Sequence, residues 1–207
     1  MRRILILVTI ISFLSSCAPS VGRKVVESGK FEIELTVGGA FFYYTSIPLP
    51  LPNVGLGVRY GVIDRFNIGG RVYPLSTLFG SLLFETYIVG EVYESSDTYI
   101  PSINVYSLLN YLAFLGYFDM TFYPLVGTVG VWKFGWGSVY VPLEVSFDFY
   151  SQRRPVKFNL GVGLDFFVTD NFGISAELRV NSIGNIYLPL GNMVGVPVFF
   201  VSTHYRF

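Results

Sequence analysis

Alternation with a period of two residues runs through much of the chain. Phe158, Leu160, Val162, Leu164 and Phe166 are separated by Asn159, Gly161, Gly163 and Asp165. Val139, Val141, Leu143, Val145, Phe147 and Phe149 are likewise separated by Tyr140, Pro142, Glu144, Ser146, Asp148 and Tyr150. A strand points successive side chains to opposite faces, so this period marks strands with one apolar face and one small or polar face. It predicts ten of them, over residues 30–43, 53–60, 66–74, 82–93, 101–111, 118–132, 138–150, 155–168, 172–181 and 194–207. The pattern is weakest over 118–132, where Pro124 and the run Leu125 to Val131 blur it. A bulge there, or a split that changes the count to eight or twelve, stays open.

Two uncharged stretches, Thr98 to Phe118 and Val180 to Thr203, are long enough for spanning helices, which need roughly 20 residues. Pro101, Asn104 and Asn110 interrupt the first, and Asn181, Asn185, Pro189, Asn192 and Pro197 the second, so neither reads as a helix. Gly61 to Arg65 and Thr169 to Asn171 read as tight turns, while Thr45 to Asn53 and Ser182 to Met193 read as longer loops. Such an alternation of short and long connections suits a transmembrane barrel with short periplasmic turns, longer outer loops and an even number of strands. The expected fold class is therefore all-β, a transmembrane antiparallel up-and-down barrel.

Charge placement separates this barrel from a soluble one. The polar faces collect Glu32, Glu34, Arg59, Arg71, Glu85, Glu91, Glu144, Asp148, Lys157, Asp165, Glu177 and Arg179, and no charge falls on the apolar face of a clear strand. A soluble barrel would reverse that arrangement, with its charges outside. The twelve are expected to line a narrow hydrated lumen as a charge-paired plug. Eight acids against four cations would make any residual pore cation-selective. Tyr60, Phe66, Phe166, Phe172 and Tyr205 near one set of strand ends, and Phe41, Tyr43 and Phe149 near the other, predict two interfacial girdles.

Composition agrees: 52% of the 207 residues are apolar, 18% aromatic and only 14% charged. The net charge of zero removes the electrostatic footprint of a nucleic-acid binder, and a single cysteine excludes an intrachain disulfide.

At the amino terminus, Arg2 and Arg3 precede an apolar run from Ile4 to Leu14, the length of a signal-peptide core. The following Leu14, Ser15, Ser16 and Cys17 resemble the lipobox of bacterial lipoproteins. The resemblance implies cleavage before Cys17, a diacylglycerol on its thiol, an acylated new amino terminus and handling by the lipoprotein-sorting machinery. An ordinary secretory cleavage site and a chance cysteine are the alternatives. The chain then divides into a signal peptide over 1–16, a lipidated polar tether on the periplasmic side over 17–29, and a barrel over 30–207.

At the carboxyl terminus, Phe199, Val201, Thr203, Tyr205 and Phe207 alternate outward and end on phenylalanine. This is similar to the assembly signal of outer-membrane barrels, which implies recognition by the barrel-assembly machinery. Val54 to Val72, reading VGLGVRYGVIDRFNIGGRV, resembles the hairpins of small Gram-negative outer-membrane proteins of the eight- to ten-stranded group. The partners this implies are outer-membrane lipid and lipopolysaccharide. Arg153 and Arg154, paired cations in an outer connection, are candidates for contact with lipopolysaccharide phosphates. No protein partner is legible.

Candidate chemistry is sparse. His204 is the only histidine, which excludes a His-ligated metal cluster and obliges any Ser-His-acid arrangement to use it. Its inward position near the periplasmic rim points instead to a structural or titrating role. Gly55, Gly57 and Gly61, and Gly161 and Gly163, precede no helix, so they read as space for opposing side chains and not as phosphate loops. No catalytic residue, metal site or cofactor is expected, and an outer-membrane hydrolase is the enzymatic alternative. The functional expectation is a structural or interaction barrel. A narrow pore or a binding barrel for a small amphipathic ligand is the alternative, prompted by the apolar loops Ile47 to Pro52, Leu75 to Phe79 and Ile186 to Leu190.

Overall fold

The computed structural model describes residues 20–23, 25–44, 47–50, 53–114, 119–149, 156–183 and 196–207. Within them the alternating segments form β1 (Phe31–Tyr44), β2 (Ile47–Pro50), β3 (Asn53–Ile63), β4 (Phe66–Tyr73), β5 (Ser81–Tyr93), β6 (Ser102–Phe114), β7 (Asp119–Phe134), β8 (Gly137–Phe147), β9 (Val156–Phe167), β10 (Phe172–Ile183) and β11 (Val196–Arg206). From β3 to β11 each strand pairs antiparallel with the next, and β1 joins β3 on one side and β11 on the other. The closing ladder runs from Glu32 opposite Arg206 to Ala40 opposite Val198. Because β2 pairs only with β1, the wall is a closed barrel of ten strands.

Three features differ from the sequence expectation or settle it. From Asp119 onward the expected 118–132 strand is one unbroken strand, β7. Its ladder with β8 starts at Leu125, immediately after Pro124, so the missing proline N–H falls where β8 no longer pairs. Half of the expected Thr45 to Asn53 loop is the strand β2, which pairs with Phe41–Tyr44 and prolongs β1 beyond the wall. As a strand with one free edge it tolerates Pro48 and Pro50. The apolar Leu75 to Phe79 loop lies within a 3₁₀ turn, Pro74–Phe79, which Gly80 ends at φ 74°, a left-handed conformation favoured by glycine.

The barrel is apolar outside and polar inside. Phe158, Leu160, Val162, Leu164 and Phe166 are all exposed on β9, whereas Asn159 and Asp165 are buried. The expected assembly-signal residues Phe199, Val201, Tyr205 and Phe207 are exposed, and Thr203 is half-buried, on the outward face of β11. Around the rim that carries the described chain ends, Phe31 stacks with Tyr60 at 4.6 Å and Trp136 with Phe166 at 5.2 Å. At the opposite rim Phe84 stacks on Tyr111 at 4.5 Å, and Phe122 meets Phe149 edge-on at 6.5 Å. Among the described residues no helix is long and apolar enough to cross a membrane.

The short turns Asp64–Arg65 and Gly135–Trp136 share the rim of the chain ends with the 168–171 turn. β10 ends and β11 begins at the other rim. Cys17, Arg153, Arg154 and the Ile186 to Leu190 loop lie outside the described residues.

Candidate functional site: the charged lumen

Inward positions on the wall carry three linked groups of charges. In the first, Arg71 is wholly buried and spans two carboxylates, Glu85 at 2.7 Å and Glu34 at 3.0 Å. In the second, Arg179 bonds Glu144 at 2.7 Å and Glu177 through its Nε, also at 2.7 Å. In the third, nearer the rim of the chain ends, Glu32 lies between Arg206 at 3.3 Å and Arg59 at 4.0 Å, and His204 Nδ1 is 3.7 Å from Asp165.

Tyrosine and glycine pairs aim these groups. Three inward tyrosines, Tyr87, Tyr106 and Tyr140, stand directly across the ladder from Gly69, Gly127 and Gly163, and the ring of a fourth, Tyr73, lies against Gly55 where the β3–β4 ladder ends. Every ring leans over its glycine, so a Cβ on Gly163 would fall 2.1 Å from the Tyr140 ring and one on Gly127 would fall 2.5 Å from that of Tyr106. The tilt carries three of the hydroxyls to carboxylates in the lumen, while Tyr87 donates to the Val58 carbonyl at 3.4 Å. Tyr73 donates to Glu85 at 2.8 Å, Tyr140 to Glu177 at 3.1 Å, and Tyr106 to Glu144. Asn159 adds a bond to Glu144 at 3.1 Å. Charge-assisted bonds of this kind satisfy carboxylates that would otherwise be costly to bury.

The structure brings Glu34, Arg71 and Glu85 together, and likewise Glu144, Glu177 and Arg179, with Arg59, Glu32 and Asp165 toward one mouth. Three of the twelve expected lumen residues sit at the mouths. Glu91 pairs with Lys133 at 3.5 Å at the rim of the chain ends, and Asp148 pairs with Lys157 at 2.9 Å at the opposite rim. The sequence count also omitted Arg23 and Arg206. Among the described residues, six buried carboxylates (Glu32, Glu34, Glu85, Glu144, Asp165, Glu177) therefore meet five buried guanidinium groups (Arg23, Arg59, Arg71, Arg179, Arg206). This is close to balance, not the two-to-one acidic excess read from the sequence.

Arg23 belongs to a segment expected to be a polar tether. Instead Ser20, Val21, Gly22, Arg23 and Val26 are all buried inside the barrel. Val21 packs in a core cluster with Tyr87, Tyr106, Val129 and Tyr140, and Arg23 reaches Glu34 at 3.0 Å. Burial opposes the charge on Arg23, but Glu34 and the other anionic neighbours outweigh it and hold its pKa above the ordinary arginine range. One sequence signal was available. Val21, Val25 and Val26 are too apolar for a solvated tether, and each needed somewhere to be buried.

No model of a known family matches this chain, and no curated protein matches it. Solved structures with a similar fold include the NanC porin, at 8% identity over 84% of this chain and 98% of that chain, with a TM-score of 0.46. The outer membrane protease OmpT from Escherichia coli is similar at 10% identity over 89% and 98%, with a TM-score of 0.43. Ail, the attachment invasion locus protein of Yersinia pestis, is similar at 16% identity over 87% and 99%, with a TM-score of 0.31.

Proposed function

We propose that this protein is an outer-membrane β-barrel, anchored by a lipid on Cys17, whose side-chain-filled lumen suits a structural or interaction role. One observation carries the reading: the outward faces of the described strands are uncharged, while five of the six inward carboxylates lie among guanidinium and hydroxyl partners and the sixth, Asp165, lies beside His204. A charge on the lipid side at mid-bilayer would cost about 2–4 kcal/mol, so that distribution matches a membrane exterior. Ten strands enclose little more than side chains can fill. Planar-bilayer recordings test the reading. The intact protein should show no stable openings, and the Arg59→Ala/Arg71→Ala double variant should conduct more than the parent. Large stable openings of the intact protein would overturn the closed lumen.

A narrow binding barrel is the second reading. It is favoured by a cavity of about 340 Å³ at the mouth near the chain ends, lined by Arg23, Asn104, Lys133 and Phe167 among others.

Lipidation and the buried segment constrain each other. Cys17 is three residues before Ser20, a reach of about 10 Å at full extension. The chain takes the residues from Val26 to Ser20 to get that far into the lumen, so three residues cannot lead out again, and the barrel wall blocks a direct path. An acyl chain in the bilayer and a seated Ser20 therefore exclude each other, and the lipid-bearing chain is the one whose segment has withdrawn. Intact mass spectrometry of protein from its native membrane should find a chain that begins at an acylated Cys17. An unmodified chain cut elsewhere would reject the anchor.

A further inference from the structure

We propose that the lumen near the chain ends is a receptor for an extended, cationic peptide, occupied in cis by the chain's own segment Ser20–Val26 in a chain without the lipid. The inference rests on the membrane-barrel reading but not on the closed lumen. Three wall side chains bind this segment through its main chain. Glu177 accepts from the Ser20 N–H at 2.9 Å, and Asn104 donates to the Gly22 carbonyl at 2.7 Å. Asn67 takes both polar atoms of Val26, accepting from its N–H at 2.7 Å and donating to its carbonyl at 2.8 Å. Such contacts recognise peptide backbone of any sequence. Two further contacts select side chains. Glu34 holds Arg23, and a Cβ on Gly22 would lie 2.7 Å from both Tyr106 and Val129, so the position accepts only glycine.

The occupant can leave without opening the wall. Among the described residues the segment pairs with no strand, and barrel closure depends on β1 and β11 alone. It is joined to β1 through the exposed Glu27, Ser28 and Gly29, with Gly29 at φ 78°. The mouth cavity reaches Arg23 and Asn104, so the seat has an approach from outside. Withdrawal removes one of the five buried guanidinium groups and leaves Glu34 facing the vacancy, which defines the ligand's charge. Tethering gives the native segment an effective concentration on the order of millimolar, so a ligand in trans must compete against it.

The test uses the full chain in vesicles and a fluorescent peptide with the sequence of residues 20–29. The Gly22→Val/Arg23→Glu double variant expels its own segment by collision with Tyr106 and repulsion from Glu34. In a Cys17→Ser background, a Ser20→Cys thiol should resist a maleimide in the parent and react in the double variant. The double variant should then bind the peptide saturably and at least tenfold tighter than the parent does. A peptide carrying Arg23→Glu should bind at least tenfold more weakly. No saturable binding by a double variant that still migrates as a folded barrel overturns the proposal, as does equal binding of the two peptides. If the double variant migrates unfolded, Arg23→Gln takes its place under the same criteria. Conduction by the parent would overturn the closed lumen and leave this test intact.

Discussion

Replacing Arg71 with alanine should destabilise the barrel by about 3–5 kcal/mol, because it takes a counter-charge from two buried carboxylates at once. The guanidinium has no solvent exposure and is held by Glu85, Glu34 and the Tyr73 hydroxyl at 3.2 Å. Without it, Glu85 keeps one donor, Tyr73, while Glu34 keeps Arg23 and a hydroxyl, Thr36, at 3.0 Å. The larger share of the loss should therefore arise at Glu85. Adding Glu85→Gln to the Arg71→Ala background should recover more than half of the lost stability, since a neutral amide in the same place no longer needs a counter-charge. Urea unfolding followed by the gel mobility of folded barrel measures both. A loss below about 1 kcal/mol would mean that water enters and solvates the two acids.

The second large effect belongs to the exterior. Leu160 lies outward near the middle of β9, and Leu160→Arg should cost about 2–4 kcal/mol in a bilayer. Val62→Arg, one residue from the end of β3 beside the Asp64–Arg65 turn, should cost about 0–1 kcal/mol. The gradient between them reports the bilayer, because both side chains are exposed and a water-facing exterior would treat the two substitutions alike. Equal small losses in vesicles would refute a membrane-facing wall.

The fold was almost wholly legible in the sequence, and the reason is physical. A wall with lipid-compatible residues outside and polar residues inside imposes a strict period of two, which even Pro124 interrupts only at the end of a ladder. The wall residues of the lumen network follow from the same parity, since the inward tyrosines and asparagines share the face of the charges. What parity cannot supply is the register. Arg71 meets Glu85 directly across the β4–β5 ladder and Glu34 over Gly57 of the intervening β3, and Arg179 meets Glu144 over β9, so each contact depends on how neighbouring strands are staggered. Ser20–Val26 was misread for a related reason. A segment bound by side chains has no period of its own, so only its three valines hinted that it was not in solvent. The β2 strand was hidden by two prolines that an interior strand would not accept.

The contacts of Ser20–Val26 also set an order of events. Its binding groups come from β1, β4, β6 and β10, and the bond from Ser20 to Glu177 joins residues 157 apart in sequence. Every wall strand from β1 to β10 must be in place before that set is complete, so the segment cannot settle until the sheet has curled nearly to closure. The amino-terminal segment is thus among the last to find its native contacts, and the entropy of that very long loop is lost only at the end.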